Sequence, residues 1–343
     1  MPSSSADQLA AAIAASGGPI PFDEFMSLAL YGVAGFYSVG GRAGRRGDFI
    51  TSPEVGPLFG AVLARALDAW WADLGSPDDF TVVEVGAGPG TLARTILAAQ
   101  PACLSRYVAV EVSAEQRASH PAGVESVPEM PRQPIVGVVI ANELLDNLPF
   151  RLAVYDGGWR EAFVDLSRDG RPVEVLSAPF DPPLPYLPSA APHGARAPIL
   201  DDAAAWVTEA RRLLTAGRVV AIDYCTPRTA ALARVPWHDW LRTYRRHQRG
   251  GHYLAEVGYQ DITAQVCLDQ LPEADAVRTQ SQFLQRWGID ELVAEGRAAW
   301  AAAASAPTLA ALKMRSRIAE SEALLDPSGL GAFTVCEWQV ATR

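Results

Sequence analysis

Val82-Val83-Glu84-Val85-Gly86-Ala87-Gly88-Pro89-Gly90-Thr91-Leu92 is the stretch from which the fold is read. A β-branched run ends in an acid and three alternate glycines, and a helical pattern opens at Thr91, so the order is strand, tight turn, helix. Glycine at 86, 88 and 90 removes three Cβ atoms from one turn, letting the backbone take φ > 0 and a ligand lie against the main chain. The dinucleotide fingerprint G-x-G-x-x-G needs its third glycine where this chain has Thr91, so that fingerprint fails. A second acid is expected at the end of the next strand, where a carboxylate can accept from both hydroxyls of a ribose. Tyr107-Val108-Ala109-Val110-Glu111-Val112 supplies it, with Glu111 21 residues beyond Gly90. That spacing serves dinucleotide sites too, so Glu111 alone does not choose the nucleotide. The plainer alternative is a glycine turn that only packs a helix on a sheet; glycines, acid and strand context together favour a ligand.

Outward from this turn, strands are expected at 80–85, 106–112, near 124–127 and at 135–141, with a helix at 91–99, and Val219 to Tyr224 resumes the alternation. This is the rhythm of a doubly wound parallel sheet, whose ligands sit beyond the carboxyl ends of the strands. After the apolar run Val136–Ala141 come Asn142, Glu143, Leu144, Leu145, Asp146 and Asn147. If that turn is helical, Glu143 and Asp146 share one side, where a carboxylate pair can hold a cationic substrate or accept a proton. An ordinary turn capped by Asn142 is the plainer reading.

The N-terminal part reads as a helix at 6–15, a breaker Ser16-Gly17-Gly18-Pro19, and a helix Phe22–Tyr31 with Phe22, Phe25, Met26 and Ala29 on one face. Phe36-Tyr37 follows as an edge strand or turn. Four glycines and three arginines between Gly40 and Gly47 make a cationic loop. It leads to a helix start in which Thr51 and Glu54 have capping-box spacing and Pro53 suits the first turn, and the helix continues to Gly75. This is either a solvated loop before a capped helix, or a lid that brings Asp48 and the helix start at Thr51, Ser52 and Pro53, with the free amides of that N-terminus, to a cofactor. Further on, Asp156-Gly157-Gly158 marks a hairpin and the proline-rich 171–200 a long loop. A helix at 202–214 ends before Gly217, Asp261-Ile262-Thr263-Ala264 looks like a helix start, 280–325 is helical, and Phe333–Val340 is a final strand. The basic run Leu241–Gly251, with His247 as a weak proton-acceptor candidate, is by default a solvated surface and otherwise a grip for an acidic protein segment. Four segments result: 1–75 helical with the lid, 76–150 the first part of the core, 151–200 a hairpin and proline-rich insertion, and 201–343 the rest of the core with a helical accessory lobe.

With 343 residues, 49% hydrophobic, and a mean hydropathy of +0.06, the chain can bury a large core. A net charge of −10 disfavours nucleic acid as the main partner. Cys103, Cys225, Cys267 and Cys336 are scattered, which reads as reduced thiols in a cytoplasmic protein, and no Cys or His spacing suits a metal. The alanine-rich start carries no Arg or Lys through Ala15 and no run of about 18 apolar residues occurs, so neither a leader nor a membrane span is expected.

E-x-G-x-G-x-G at 84–90 resembles the first motif of S-adenosylmethionine (SAM) methyltransferases. PFDEFMSLALYG, GDFITSPEVGPLFG, EVGAGPGTL, ANELLDNLP, the TYRRH stretch and QDITAQV follow in the order found in the MidA-like family of class I SAM-dependent methyltransferases. The resemblance covers nearly the whole chain and implies an α/β, Rossmann-like SAM methyltransferase sheet with a helical N-terminal segment and an inserted accessory lobe. It implies SAM as cofactor, held by Glu84, Gly86, Gly88, Gly90 and Glu111 with the Asp48–Glu54 segment above it, and Asn142, Glu143 and Asp146 beside the acceptor. Mitochondrial members are known as protein arginine methyltransferases acting on a respiratory complex I subunit during assembly, which implies a protein partner with a target arginine. The family's usual histidine and acid near the ITA motif are Gln265 and Cys267 here, so a substrate role for that face is not carried over. The expected reaction is in-line displacement, with Glu143 and Asp146 orienting one guanidinium nitrogen. An assembly chaperone that binds SAM without turnover, a small-molecule or RNA methyltransferase, and an NAD(P)-dependent oxidoreductase stand as alternatives, the last disfavoured by Thr91. The residues leave the oligomeric state open.

Overall fold

The computed structural model describes residues 4–38, 51–245, 248–306 and 308–341. Seven strands form the central sheet: β1 (Thr81–Val85), β2 (Arg106–Val110), β3 (Glu125–Val127), β4 (Ile135–Asn142), β5 (Leu214–Asp223), β6 (Ala276–Thr279) and β7 (Thr334–Val340). Their spatial order is β6-β7-β5-β4-β1-β2-β3, with β7 antiparallel to both neighbours and the other pairs parallel. The chain winds outward from β1 to β3 and then returns to β4 on the other side of β1. That makes the β1/β4 boundary the switch point, where the carboxyl ends open a crevice.

The inner strands β1, β4 and β5 are mostly apolar and buried because both faces are covered, whereas β3 and β6 at the sheet edges carry polar, exposed residues. Helices Pro57–Asp73 and Thr91–Ala99 bury Phe59, Leu63, Trp70, Leu92 and Ile96 against Val82, Val138 and Ile140 on one face. On the other, Phe22, Phe25 and Met26 of helix Phe22–Tyr31, together with Val207 and Trp240, meet Val83 and Val139. Each such side chain contributes about 1.5–3 kcal/mol of burial. Gly137 and Gly217 stand opposite each other on β4 and β5, and a Cβ on Gly217 would lie 1.8 Å from the Gly137 carbonyl oxygen.

Four expectations change. The helix from Thr51 to Gly75 is two helices, Ser52–Val55 and Pro57–Asp73, parted at Gly56, and the Thr51 side chain makes no cap bond. Glu54 instead accepts from the Thr91 hydroxyl at 2.7 Å, tying the short helix to the glycine turn. The proline-rich insertion is sheet at its two ends, where Pro172–Pro179 pairs with Trp159–Leu166 and Arg196–Ile199 pairs with Arg151–Tyr155, and loop over 180–195 between them. The expected hairpin at 151–166 is its centre. Asp261–Ala264 is a strand paired with Leu241–Arg245, not a helix start, because Ile262 and Ala264 must face a buried layer in alternation. Helix Asp201–Leu213 runs straight into β5, so Gly217 lies inside that strand rather than beyond a helix end.

Gly56 has room for no side chain because Glu320, from helix Leu309–Leu325, sits 2.3 Å from where its Cβ would be. The Glu320 carboxylate accepts from the Leu58 N–H at 2.8 Å and caps helix Pro57–Asp73 from across the fold. Glu320→Ala should cost about 2 kcal/mol, read as a lower urea midpoint at unchanged slope.

Candidate active site

The crevice is a cavity of about 630 Å³, within the usual size range for small-molecule sites. Its floor is the glycine turn. Gly86, Gly88 and Gly90 have φ of 70°, 53° and 75°, so the three Cβ-free residues occupy the left-handed region that the sequence anticipates. Glu111 ends β2 beside them. One of its oxygens accepts from the Gly88 N–H at 2.9 Å and the other from the Ser113 N–H at 2.8 Å, leaving a carboxylate edge on the cavity. Glu84 lies beneath the turn, where its carboxyl accepts from the Tyr107 hydroxyl at 2.7 Å. Burial pushes it up to about 7, against the pull of Tyr107 and the Ala93 N–H.

Thr51 and Pro53 line the cavity, but Ser52 turns its hydroxyl away to Gln280 at 2.8 Å. Only the Ser52 backbone N–H faces the site, toward the Glu143 carboxyl. The lid expectation for residues 40–50, with Asp48, and the role of His247 fall outside the described residues.

The Asn142–Asn147 segment closes β4 without a helical turn. Glu143 has φ 52°, and its N–H donates to the Ile222 carbonyl at the end of β5. The expected Glu143/Asp146 pairing on one helical side is therefore corrected. Asn142, Glu143, Leu144 and Asn147 line the cavity, whereas Asp146 is buried behind them, bonded to Tyr224 and Thr263. The Asn142 side-chain amide donates to Glu143 Oε1 at 3.2 Å.

Four groups that sequence reasoning left without a role gather here. Asp223, at the carboxyl end of β5, accepts from the Leu145 N–H at 2.9 Å and the Asp146 N–H at 3.3 Å. Asp261 accepts from the Tyr37 hydroxyl at 3.0 Å and the Asn147 amide at 3.1 Å. Tyr31 donates to the Asn147 carbonyl at 3.0 Å and stacks on Tyr37, with rings 5.6 Å apart, both on the cavity wall. Asp223 had a legible signal, an acid closing an apolar strand as Glu111 does. The tyrosines had none, since Tyr31 at a helix end reads as core and Tyr37 reads as part of an edge strand or turn.

Burial raises all these carboxyls: Glu143 to about 8 with Asp146 adding repulsion, Asp261 to about 7 for the same two reasons, and Asp146 to about 6 although Thr263 and Tyr224 pull it down. Asp223 is raised well above the carboxylate range by burial, Asp146 and Glu143. An unfolded chain releases these protons near pH 4, while the folded chain holds those of Asp146, Asp261 and Glu143 to about 6–8. The folded state thus binds more protons across that window, and stability from these groups falls as pH rises from about 4 to about 8. Asp261→Asn, which can still accept from Tyr37 and Asn147, should flatten the decline of Tm between pH 5 and 8 in the ligand-free protein.

Residues 62–285 match the model of a family described as S-adenosyl-L-methionine-dependent methyltransferases. The chain belongs to this family. The MidA-like resemblance stands with it. The protein named protein arginine methyltransferase NDUFAF7 in Mus musculus is 27% identical over 326 residues, 80% of this chain and 72% of that protein. Its Drosophila melanogaster homolog is 34% identical over 205 residues, 48% of this chain, and the match spans less than half of that relative, 46%. A superfamily member from Burkholderia thailandensis, solved with S-adenosyl-homocysteine bound, superposes with a TM-score of 0.82 at 28% identity, covering 98% of this chain and 92% of that one. The protein is a SAM-dependent methyltransferase, and its cavity fits the cofactor. The left-handed glycine turn leaves the main chain bare, and the Glu111 carboxylate faces the same space.

Proposed function

We propose that the enzyme methylates the guanidinium of an arginine in a partner protein. The observation that carries this is a site walled by Glu143 and backed by Asp146, Asp223 and Asp261, none of which pairs with a cation among the described residues. Such a wall favours a cationic acceptor. The relatives named as protein arginine methyltransferases support the reading. A respiratory-chain subunit undergoing assembly is the partner the family resemblance favours, and four free thiols agree with a reducing, cytoplasmic setting.

In this reading Gly86, Gly88, Gly90, Glu111, Thr51 and Pro53 hold the cofactor, with Glu84 fixing the turn from below. The bound cofactor supplies an electrophilic methyl carbon. Glu143, held by Asn142 and the Ser52 N–H, accepts hydrogen bonds from the guanidinium and orients one nitrogen toward that carbon. The same carboxylate takes the proton the nitrogen loses, so positioning and charge balance reside in one group. Asp146 acts from behind rather than as a direct partner of the acceptor.

The test is incubation of the full chain with methyl-labelled SAM and a proteome depleted of its own methyltransferases, followed by mass spectrometry. Label on arginine side chains is expected. Label confined to other residues, to small molecules or to RNA would reject the arginine reading.

A further inference from the structure

The acidic groups behind the acceptor wall pose a charge problem. Glu143, Asp146, Asp223 and Asp261 surround one turn, and the last three are 5%, 1% and 1% exposed. Their hydrogen bonds come from hydroxyls, amides and backbone N–H groups: Tyr224 and Thr263 hydroxyls on Asp146, the Leu145, Asp146 and Tyr224 N–H groups on Asp223, Tyr37 and Asn147 on Asp261, and Asn142 with the Ser52 N–H on Glu143. Among the described residues the other titratable groups facing them are Tyr31, Tyr37, Tyr224, Cys225, Cys336 and, across the cavity, Glu111, none of them a cation. Asp146 Oδ1 is fully buried and has no partner among the described residues. Nor do any three described His, Cys, Asp or Glu side chains group closely enough to hold a metal ion as counter-charge.

Four like charges in one buried volume cannot all ionise, so protons are shared among them. We propose that the acceptor enters in exchange for a proton: the free enzyme holds at least one on this carboxyl cluster, and the cationic acceptor group displaces it. This rests on the guanidinium reading of the acceptor. The proton is released before the chemical step, and Glu143 is thereby ionised only when there is a cation for it to hold. In the absence of acceptor the held proton lowers the negative charge of the cluster. The raised proton affinities of Glu143, Asp146 and Asp261 agree with this geometry.

The experiment is calorimetric titration of the full chain, loaded with S-adenosyl-homocysteine, with a glycine-flanked arginine peptide. It is run in phosphate and in Tris at pH 7, beside infrared spectra of the free enzyme. Expected are a carboxylic-acid carbonyl band at pH 7 that fades as peptide binds, and buffer-dependent heats giving about one proton released. Peptide affinity should rise up to about tenfold per pH unit between pH 6 and 8 and level off above. Asp146→Asn, or Asp261→Asn if the former does not fold, should reduce the proton release and flatten that rise. Equal heats in the two buffers, or no acid band at pH 7, would overturn the exchange. If the band is present and the peptide does not bind, the arginine reading falls and takes the exchange with it, a result distinguished by the surviving band.

Discussion

Glu143→Gln is expected to reduce methyl transfer at least about 100-fold while changing affinity for S-adenosyl-homocysteine by less than about threefold. The amide has the size of the carboxyl, and Asn142 can still donate to its oxygen, so the turn keeps its shape. What is lost is the negative charge against the guanidinium and the ability to take its proton. Affinity for the cofactor product is set at the other end of the cavity, by the glycine turn and Glu111. A second substitution separates chemistry from architecture. Glu143 has φ 52°, a conformation that costs a residue with a Cβ about 1–2 kcal/mol and costs glycine almost nothing. Glu143→Gly should therefore leave Tm unchanged or raise it, while transfer disappears. A side chain kept at a backbone position better suited to glycine is an argument for function. Normal turnover by either variant would remove Glu143 from the mechanism.

The parts of this enzyme legible in the sequence are those in which local chemistry and global position agree. The glycine turn and the strands around it could be read because three missing Cβ atoms and continuous apolar runs have few other uses. Glu111 could be placed because an acid at a strand end has a definite address. The Asn142–Asn147 segment was harder. Its leucines and acids fit helical spacing as well as they fit an extended turn, and only the bond from Glu143 N–H to Ile222, 79 residues away in sequence, decides between them. The helix break at Gly56 had a local signal, since Pro57 opens the second helix, but its cap, Glu320, lies on an element distant in sequence. Tyr31, Tyr37 and Asp261 could not be recognised as site residues, since what brings them together is the packing of the N-terminal helix and the strand Asp261–Ala264 on the same turn.

Glu111 offers the second large effect, on binding rather than chemistry. Both of its oxygens accept from backbone N–H groups, Gly88 on one side and Ser113 on the other, and the carboxylate lines the cavity. In Glu111→Gln the amide nitrogen must face one of those N–H donors, or turn toward the space where a ribose diol would bring hydroxyls. The isosteric change thus sets a donor against a donor and removes the charge that strengthens the remaining bonds. Each lost charged hydrogen bond is worth about 1.5–3 kcal/mol, so affinity for SAM and S-adenosyl-homocysteine should fall about 100-fold or more. Glu111→Ala should be at least as damaging, since it also frees Gly88 from its anchor and loosens the turn. Glu111→Asp, one methylene short, should retain charge and lose reach, for an intermediate loss of about tenfold. Calorimetry on the three variants, compared with Glu143→Gln, tests the division of labour along the cavity. If Glu111→Gln binds SAM like the parent while Glu143→Gln does not, the cofactor and acceptor ends have been assigned the wrong way round.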